Sequence, residues 1–221
     1  MEKIGIIGLG NMGMGIAKNV IKGGYTAVGY DLREECLKEI VSHGGEAAES
    51  VSQVGQLSDV VFVMVMNGKQ VKEVVTQLSP GLKDRGTIII TATTKPEEVK
   101  EAYKIAQKNN INMVDSPVSG GLQGAHEGTL TLMTAADEKT LQDCKKILES
   151  ISKNMIHVGT NIGDGQTVKA SLQSFIGATF TAIFESLVLG SKAGIDGQIL
   201  YDVFSTSGAS SPLFKNCAKL I

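Results

Sequence analysis

Ile4-Gly5-Ile6-Ile7-Gly8-Leu9-Gly10-Asn11-Met12-Gly13 is the stretch whose reading decides the fold. A short apolar run reads as a buried β-strand and ends in Gly8-x-Gly10-x-x-Gly13, after which apolar residues recur at helical spacing. In a dinucleotide-binding reading each glycine has its own job. Gly8 permits a tight strand-to-helix turn, Gly10 lets a pyrophosphate approach the backbone, and Gly13 lets the helix pack against the strand. The N–H groups at the helix start, including those of Asn11 and Met12, then face the phosphates, and the helix dipole adds attraction. Glycines also cluster in ordinary turns, so the pattern gains weight only from the rest of the chain.

That support comes in order. A helical pattern over 11–22 closes at Gly23-Gly24. Residues 26–31 read as a second strand, and its last residue, Asp31, stands 23 positions after Gly8. The offset is close to the ~20 residues expected for the carboxylate that accepts from the adenosine ribose hydroxyls. Such a carboxylate suits the diol of NAD and repels the 2′-phosphate of NADP. The other reading of Asp31 is a solvated turn residue. A helix over 34–42 and a short connecting stretch near 46–51 lead to the apolar run 59–66, which suits a strand buried on both faces. Asn67-Gly68 opens a helix over 69–78. A strand over 87–90 ends in Thr91-Ala92-Thr93-Thr94, Pro96 starts a helix to about 108, and 111–115 is another strand. Strands alternating with helices predict a parallel, doubly wound sheet. Ligands of such sheets lie beyond the carboxyl ends of the strands. The glycine loop, Asp31, Met66-Asn67 and Thr93-Thr94 all fall there.

Asp115-Ser116-Pro117-Val118-Ser119-Gly120-Gly121-Leu122-Gln123-Gly124-Ala125 has two readings from composition. Its hydroxyls and backbone N–H groups can cradle a small anion, or it is a long flexible loop. A strand over 129–134, a helix over 139–150 and a strand over 154–158 follow, then a second glycine-rich loop over 159–165. A long helical pattern runs from about 166 to 193, which sets the division at 1–162 for a Rossmann-type domain and 163–221 for an all-α domain. Lys169 and Gln173 share a face of that helix among Val168, Leu172, Phe175 and Ile176. A lysine in such surroundings is costly unless paired or used, and partial desolvation would lower its pKa towards proton transfer. The alternative is a surface lysine with its stem laid along apolar neighbours.

The bulk properties exclude several classes. The chain has 221 residues, is 42% hydrophobic and 20% charged, and carries a formal net charge of −2. That balance gives no electrostatic reason to expect nucleic acid or an anionic membrane as partner. Cys36, Cys144 and Cys217 are far apart and read as reduced thiols of a cytoplasmic protein. His43, His126 and His157 are scattered, and no metal-ligand spacing appears. The first strand begins near Met1, which leaves no room for a cleavable leader. Residues 172–190 are nearly long enough to span a bilayer but contain Gln173 and Glu185, so a helix buried in protein is the expectation.

Together these residues resemble the β-hydroxyacid dehydrogenase family. The resemblance covers about residues 3–215 and rests on GLGNMG at 8–13, Thr93-Thr94, the segment from Asp115 through Gly121 with Gly124-Ala125 and Gly128-Thr129-Leu130, and Gly163-x-Gly165-x-x-x-Lys169. It implies a Rossmann domain followed by a helical domain, with NAD as cofactor and NADP admitted through Arg33. The implied reaction interconverts a small β-hydroxy acid and its semialdehyde or keto acid. Lys169 would be the general acid/base, and Ser119, Gly120 and Gly121 would hold the substrate carboxylate. Thr94 would sit beside the nicotinamide ribose, and Met66 and Asn67 at the cofactor rim. Gln173 replaces the asparagine common in the family and is similar to the threonate dehydrogenase branch. Family members also continue through further helices, so this chain is expected to lack the distal part of the helical domain. The apolar helix then predicts a homodimer or homotetramer. The competing readings are an NAD-binding oligomeric protein with impaired catalysis and a reductase of imines or other carbonyls.

Overall fold

The computed structural model describes residues 2–218. Strands and helices alternate from the start: β1 (Lys3–Ile7), α1 (Asn11–Lys22), β2 (Thr26–Tyr30), α2 (Glu34–Ser42), β3 (Glu46–Ala47), α3 (Val51–Leu57), β4 (Val60–Val63), α4 (Gly68–Leu78), β5 (Thr87–Ile90), α5 (Pro96–Lys108) and β6 (Asn112–Asp115). These strands lie in the order β3-β2-β1-β4-β5-β6, all parallel. Connections run one way from β1 to β3 and the other way from β4 to β6. The crevice between the carboxyl ends of β1 and β4 is therefore the place where such a sheet binds its ligand.

Side-chain alternation explains why these short apolar runs are strands. Ile4 and Ile6 of β1 join Phe62, Ile89 and Val114 on one face, packed with Ile16 and Val20 of α1. Ile7, Val61, Val63, Ile88 and Ile90 point to the other face, against Val54 of α3, Val71 and Val75 of α4 and Val99 of α5. Both faces are covered, so each strand is apolar throughout rather than every second residue.

The second half of the sheet departs from the parallel expectation. After β6 come β7 (Val118–Ser119), α6 (Gly121–Glu127), β8 (Leu130–Ala135), α7 (Glu138–Ile151) and β9 (Ser152–Gly159). β8 runs antiparallel to β6 and β7 and parallel to β9. Val118 and Ser119 pair directly with Leu132 and Thr131, so the chain doubles back instead of crossing over the sheet. The same pairing removes the flexible-loop reading of residues 115–125. Asn19 of α1 ties the segment down further, its Nδ2 donating to the carbonyls of Ala125 (2.8 Å) and His126 (3.2 Å). Two smaller expectations also change. The connecting stretch after residue 46 contains α3, capped by Ser50, whose hydroxyl accepts from the Gln53 N–H at 3.1 Å. The strand expected over 59–66 stops at Val63, because residues 64–66 leave the sheet to form its rim.

The chain divides into two compact units, Met1–Lys169 and Ala170–Ile221, with the division inside helix α8 (Asp164–Lys192). Met1 and residues 219–221 of the expected domain spans lie outside the described residues. In the second unit α8 closes just past Lys192, where the φ of +88° at Gly194 lets the Ile195 N–H turn back to the Gly190 carbonyl. α9 (Gly197–Thr206) and α10 (Pro212–Cys217) follow. Ile183, Leu187 and Phe214 form a small core there, with the Phe204 and Phe214 rings 5.6 Å apart. The expected burial of 172–190 is not found among the described residues. α8 is long and apolar enough to cross a membrane by length and composition, yet little of its apolar stretch is buried. Ile183 and Leu187 of that stretch are buried, whereas Phe175 and Leu189 stay 67% and 74% exposed.

Candidate active site

The glycine loop has the geometry its spacing predicts. Gly8 has a φ of +89°, and a Cβ there would stand 2.3 Å from the Met64 carbonyl oxygen. A Cβ on Gly13 would stand 1.8 Å from the Gly8 carbonyl oxygen, so α1 approaches β1 only because residue 13 has no side chain. Gly10 differs: its Cβ would meet only the tip of Arg33, at 3.6 Å, which leaves that side of the loop open. Gly10 is also the residue before α1, and no side chain caps the helix there. Asn11 and Met12 begin the helix, so backbone N–H groups at its start remain for an anion. Leu9 contributes through its backbone, because its side chain is buried in the core.

Asp31 sits just past β2 and closes the same crevice. Its Oδ2 accepts from the Leu9 N–H at 2.8 Å, and the Gly8 N–H donates to the Tyr30 carbonyl at 2.9 Å. The Arg33 side chain forks onto the carboxylate, Nε to Oδ1 at 3.0 Å and Nη2 to Oδ2 at 3.1 Å. Partial burial pushes the Asp31 pKa up, but the hydrogen bonds from Arg33 and Leu9 outweigh it and hold the carboxyl below its ordinary value. A groove of about 690 Å³ runs along this rim, lined by Gly8, Gly10, Asp31, Arg33, Met66 and Gln70 among others. Open backbone at Gly10, backbone N–H groups at the start of α1 and a carboxylate at the far end fit a dinucleotide. Met66 is exposed, and Asn67 caps α4 by accepting from the Gln70 N–H at 3.0 Å. Gln70 also accepts from the Met66 N–H at 2.9 Å and so shapes this side of the groove.

A second constellation lies at the ends of β5 and β6. Asp115, fully buried, ends β6, and its Oδ2 accepts from the N–H groups of Gly163 (2.9 Å) and Gln166 (3.2 Å). It therefore caps α8 from another strand, in place of a residue at the helix start. Burial raises its pKa to about 6, against the opposing pull of these hydrogen bonds. The Gln166 side chain accepts from the Thr94 N–H at 2.9 Å and donates to the Ala92 carbonyl (3.1 Å) and to Asp115 Oδ1 (2.8 Å). Three residues on, Lys169 is 8% exposed and has no ion-pair or hydrogen-bond partner among the described residues. Burial alone holds its amine below the ordinary lysine value.

Ser119 is half-buried at the end of β7, and Gly120 and Gly121 have φ of +131° and +62° as α6 begins. The structure thus brings the glycine loop, Asp31 and Met66 to one groove, and binds the Thr94 backbone to the helix turn that bears Lys169. Gln173 belongs to the second unit, where its side chain is exposed. Sequence reasoning passed over Gln166 and Gln70. Gln166 left one trace, an uncharged polar residue at the start of the long helical pattern, three positions before the candidate lysine.

Comparison with known proteins fits this geometry. Residues 3–159 match the NAD-binding domain of 6-phosphogluconate dehydrogenase, and residues 163–221 match the domain described as NAD-binding of NADP-dependent 3-hydroxyisobutyrate dehydrogenase. The chain is 34% identical to 2-(hydroxymethyl)glutarate dehydrogenase of Eubacterium barkeri, over 95% of its own length and 70% of that protein. It is 32% identical to L-threonate dehydrogenase of Cupriavidus necator, over 97% and 73%. The solved structure of Mycobacterium tuberculosis 3-hydroxyisobutyrate dehydrogenase with L-serine superposes with a TM-score of 0.91 at 29% identity, covering 98% of this chain and 75% of that one. Fold and site together define an NAD(P)-dependent oxidoreductase acting on CH–OH groups of a small molecule. The chain belongs to the β-hydroxyacid dehydrogenase family.

Proposed function

We propose that this chain oxidises a small β-hydroxy acid to its semialdehyde or keto acid, and reduces the product back, with Lys169 as the general acid/base. The observation that carries the reading is a buried, unpartnered amine one turn into a helix whose first turn is bonded to the Thr94 backbone. A charged lysine without a partner is costly in such a place, and its lowered pKa makes the neutral amine available as a base. Ser119 Oγ and the Gly120 and Gly121 N–H groups hold the substrate carboxylate, and Thr94 borders the nicotinamide ribose. Gln173 offers both a donor and an acceptor to the polar end of the substrate. Hydride acceptance from the carbinol carbon is the chemistry that a bound nicotinamide cofactor would supply. Lys169 Nζ takes the hydroxyl proton as the C–H bond breaks and the C=O bond forms, and returns it in the reverse direction.

NAD is the favoured cofactor, since Asp31 repels a 2′-phosphate. The relatives' named substrates direct the first panel to 3-hydroxyisobutyrate, L-threonate and 2-(hydroxymethyl)glutarate. The exposed apolar face of α8 supports a homodimer or homotetramer, and the buried free thiols support a cytoplasmic setting. The test is NADH formation across the panel for the wild type and Lys169→Ala, with NAD affinity measured in parallel. Oxidation by the wild type should rise with pH as Lys169 loses its proton, with a midpoint below that of an ordinary lysine. An oxidation rate flat across that range would remove Lys169 from the role of base.

A further inference from the structure

Gln166 and Asp115 form a buried, hydrogen-bonded pair at the start of α8. Both are fully buried, and every polar group of the Gln166 amide is used. Its acceptor takes the N–H of Thr94, 72 positions earlier, and its donors reach the Ala92 carbonyl and Asp115. Asp115 spends its other oxygen on the N–H groups of Gly163 and Gln166. Two glycines make the approach feasible. Gly163 has a φ of +105°, and a Cβ on Gly165 would stand 2.6 Å from the Met133 carbonyl oxygen and 3.0 Å from that of Asp115.

Three segments of the proposed site meet on this pair. The β5 end carries Thr94, the β6 end leads in four residues to Ser119, and the first turn of α8 leads in three residues to Lys169. We propose that Gln166, locked by Asp115, is the positioning residue that sets Lys169 at a fixed distance from the Thr94 segment and from the Ser119 loop. Gln166 touches no reacting atom in this role; it acts through the backbone of Thr94 and through the helix that bears Lys169. The inference rests on the dehydrogenase reading above. Its physical basis is that a buried amide held by three hydrogen bonds fixes its neighbours' geometry, and that small misplacements of a catalytic group are costly.

The test uses Gln166→Met, which keeps the volume and removes the bonding. Gln166→Asn, with both amide groups on a shorter arm, carries the same readouts if the methionine variant does not fold. With the best panel acid, kcat should fall on the order of 10²-fold, while NADH affinity measured by fluorescence changes far less. Amide exchange should quicken together in residues 91–97 and 161–170, and stay as in the wild type at residues 8–13. A purely structural role would lower the melting temperature and leave kcat per folded molecule intact. An unchanged kcat, or faster exchange in 161–170 alone, overturns the proposal. If the wild type oxidises no acid, the dehydrogenase reading fails separately. Exchange then decides together with the rate of reductive methylation at Lys169: faster labelling with both segments loosened supports positioning, and unchanged labelling overturns it.

Discussion

Asp31 is the side chain on which the proposed cofactor preference turns. Both of its oxygens are engaged, by the Leu9 N–H and by the Arg33 fork, so in the proposed role an entering ribose must share or displace Arg33. Arg33 is half-exposed and therefore displaceable at low cost. Asp31→Ala should weaken NAD binding and release Arg33 for a 2′-phosphate. The expected outcome is a fall in the NAD-to-NADP ratio of kcat/KM by about tenfold or more, the scale of one charged hydrogen-bonded contact. An unchanged ratio in side-by-side assays would show that this carboxylate does not read the ribose. At this scale Asp31 was legible in the sequence, because its offset from Gly8 is set by the length of one β-α-β unit. Gln166 was not, because its partners at 92, 94 and 115 come together only through the order of β5 and β6 in the sheet.

Among the elements, the β1–α1 junction is where sequence and geometry agree most closely. The helix packs on the strand through the bare Cα of Gly13, and Gly13→Ala puts a methyl group against the Gly8 carbonyl oxygen. The junction must then open, so NAD affinity should fall at least tenfold and stability by about 1–3 kcal/mol, the scale of overpacking a tight contact. Calorimetry of NAD binding and a denaturant melt check both, and wild-type values in each would refute the close packing. The long elements were readable because apolar residues recur at fixed spacing over several turns or alternate across a sheet. α3, α6 and β7 were not, because seven-residue helices and a two-residue strand carry too few periodic positions. The antiparallel turn at β8 was hidden for a related reason: a strand's direction is set by its partner, and its own residues look the same either way.

For the whole molecule, the open question of scale is the apolar surface of the second unit. Phe175, Leu189, Ile199 and Val203 are each more than half exposed in the single chain. Surfaces of this kind mark interaction sites, and under the proposed assembly light scattering at micromolar concentration should find a dimer or larger species. Leu189→Glu should shift the population toward monomer, and a wild type that is monomeric throughout would contradict the proposed assembly. The long helix was legible in the sequence as a helical pattern over about 166–193. Its exposure was not, since an apolar helix reads the same whether its cover comes from its own chain or from another.

Lys169 joins the three scales, as a buried amine on a helix fixed by Gln166 in a family of hydroxyacid dehydrogenases. The most direct measurement is turnover of the best panel acid at saturating NAD by the wild type and Lys169→Ala, with NAD affinity determined on both. Loss of a general acid/base should lower kcat by about 10²–10⁴-fold and leave NAD affinity unchanged. A Lys169→Ala enzyme that keeps wild-type kcat would contradict the proposed chemistry.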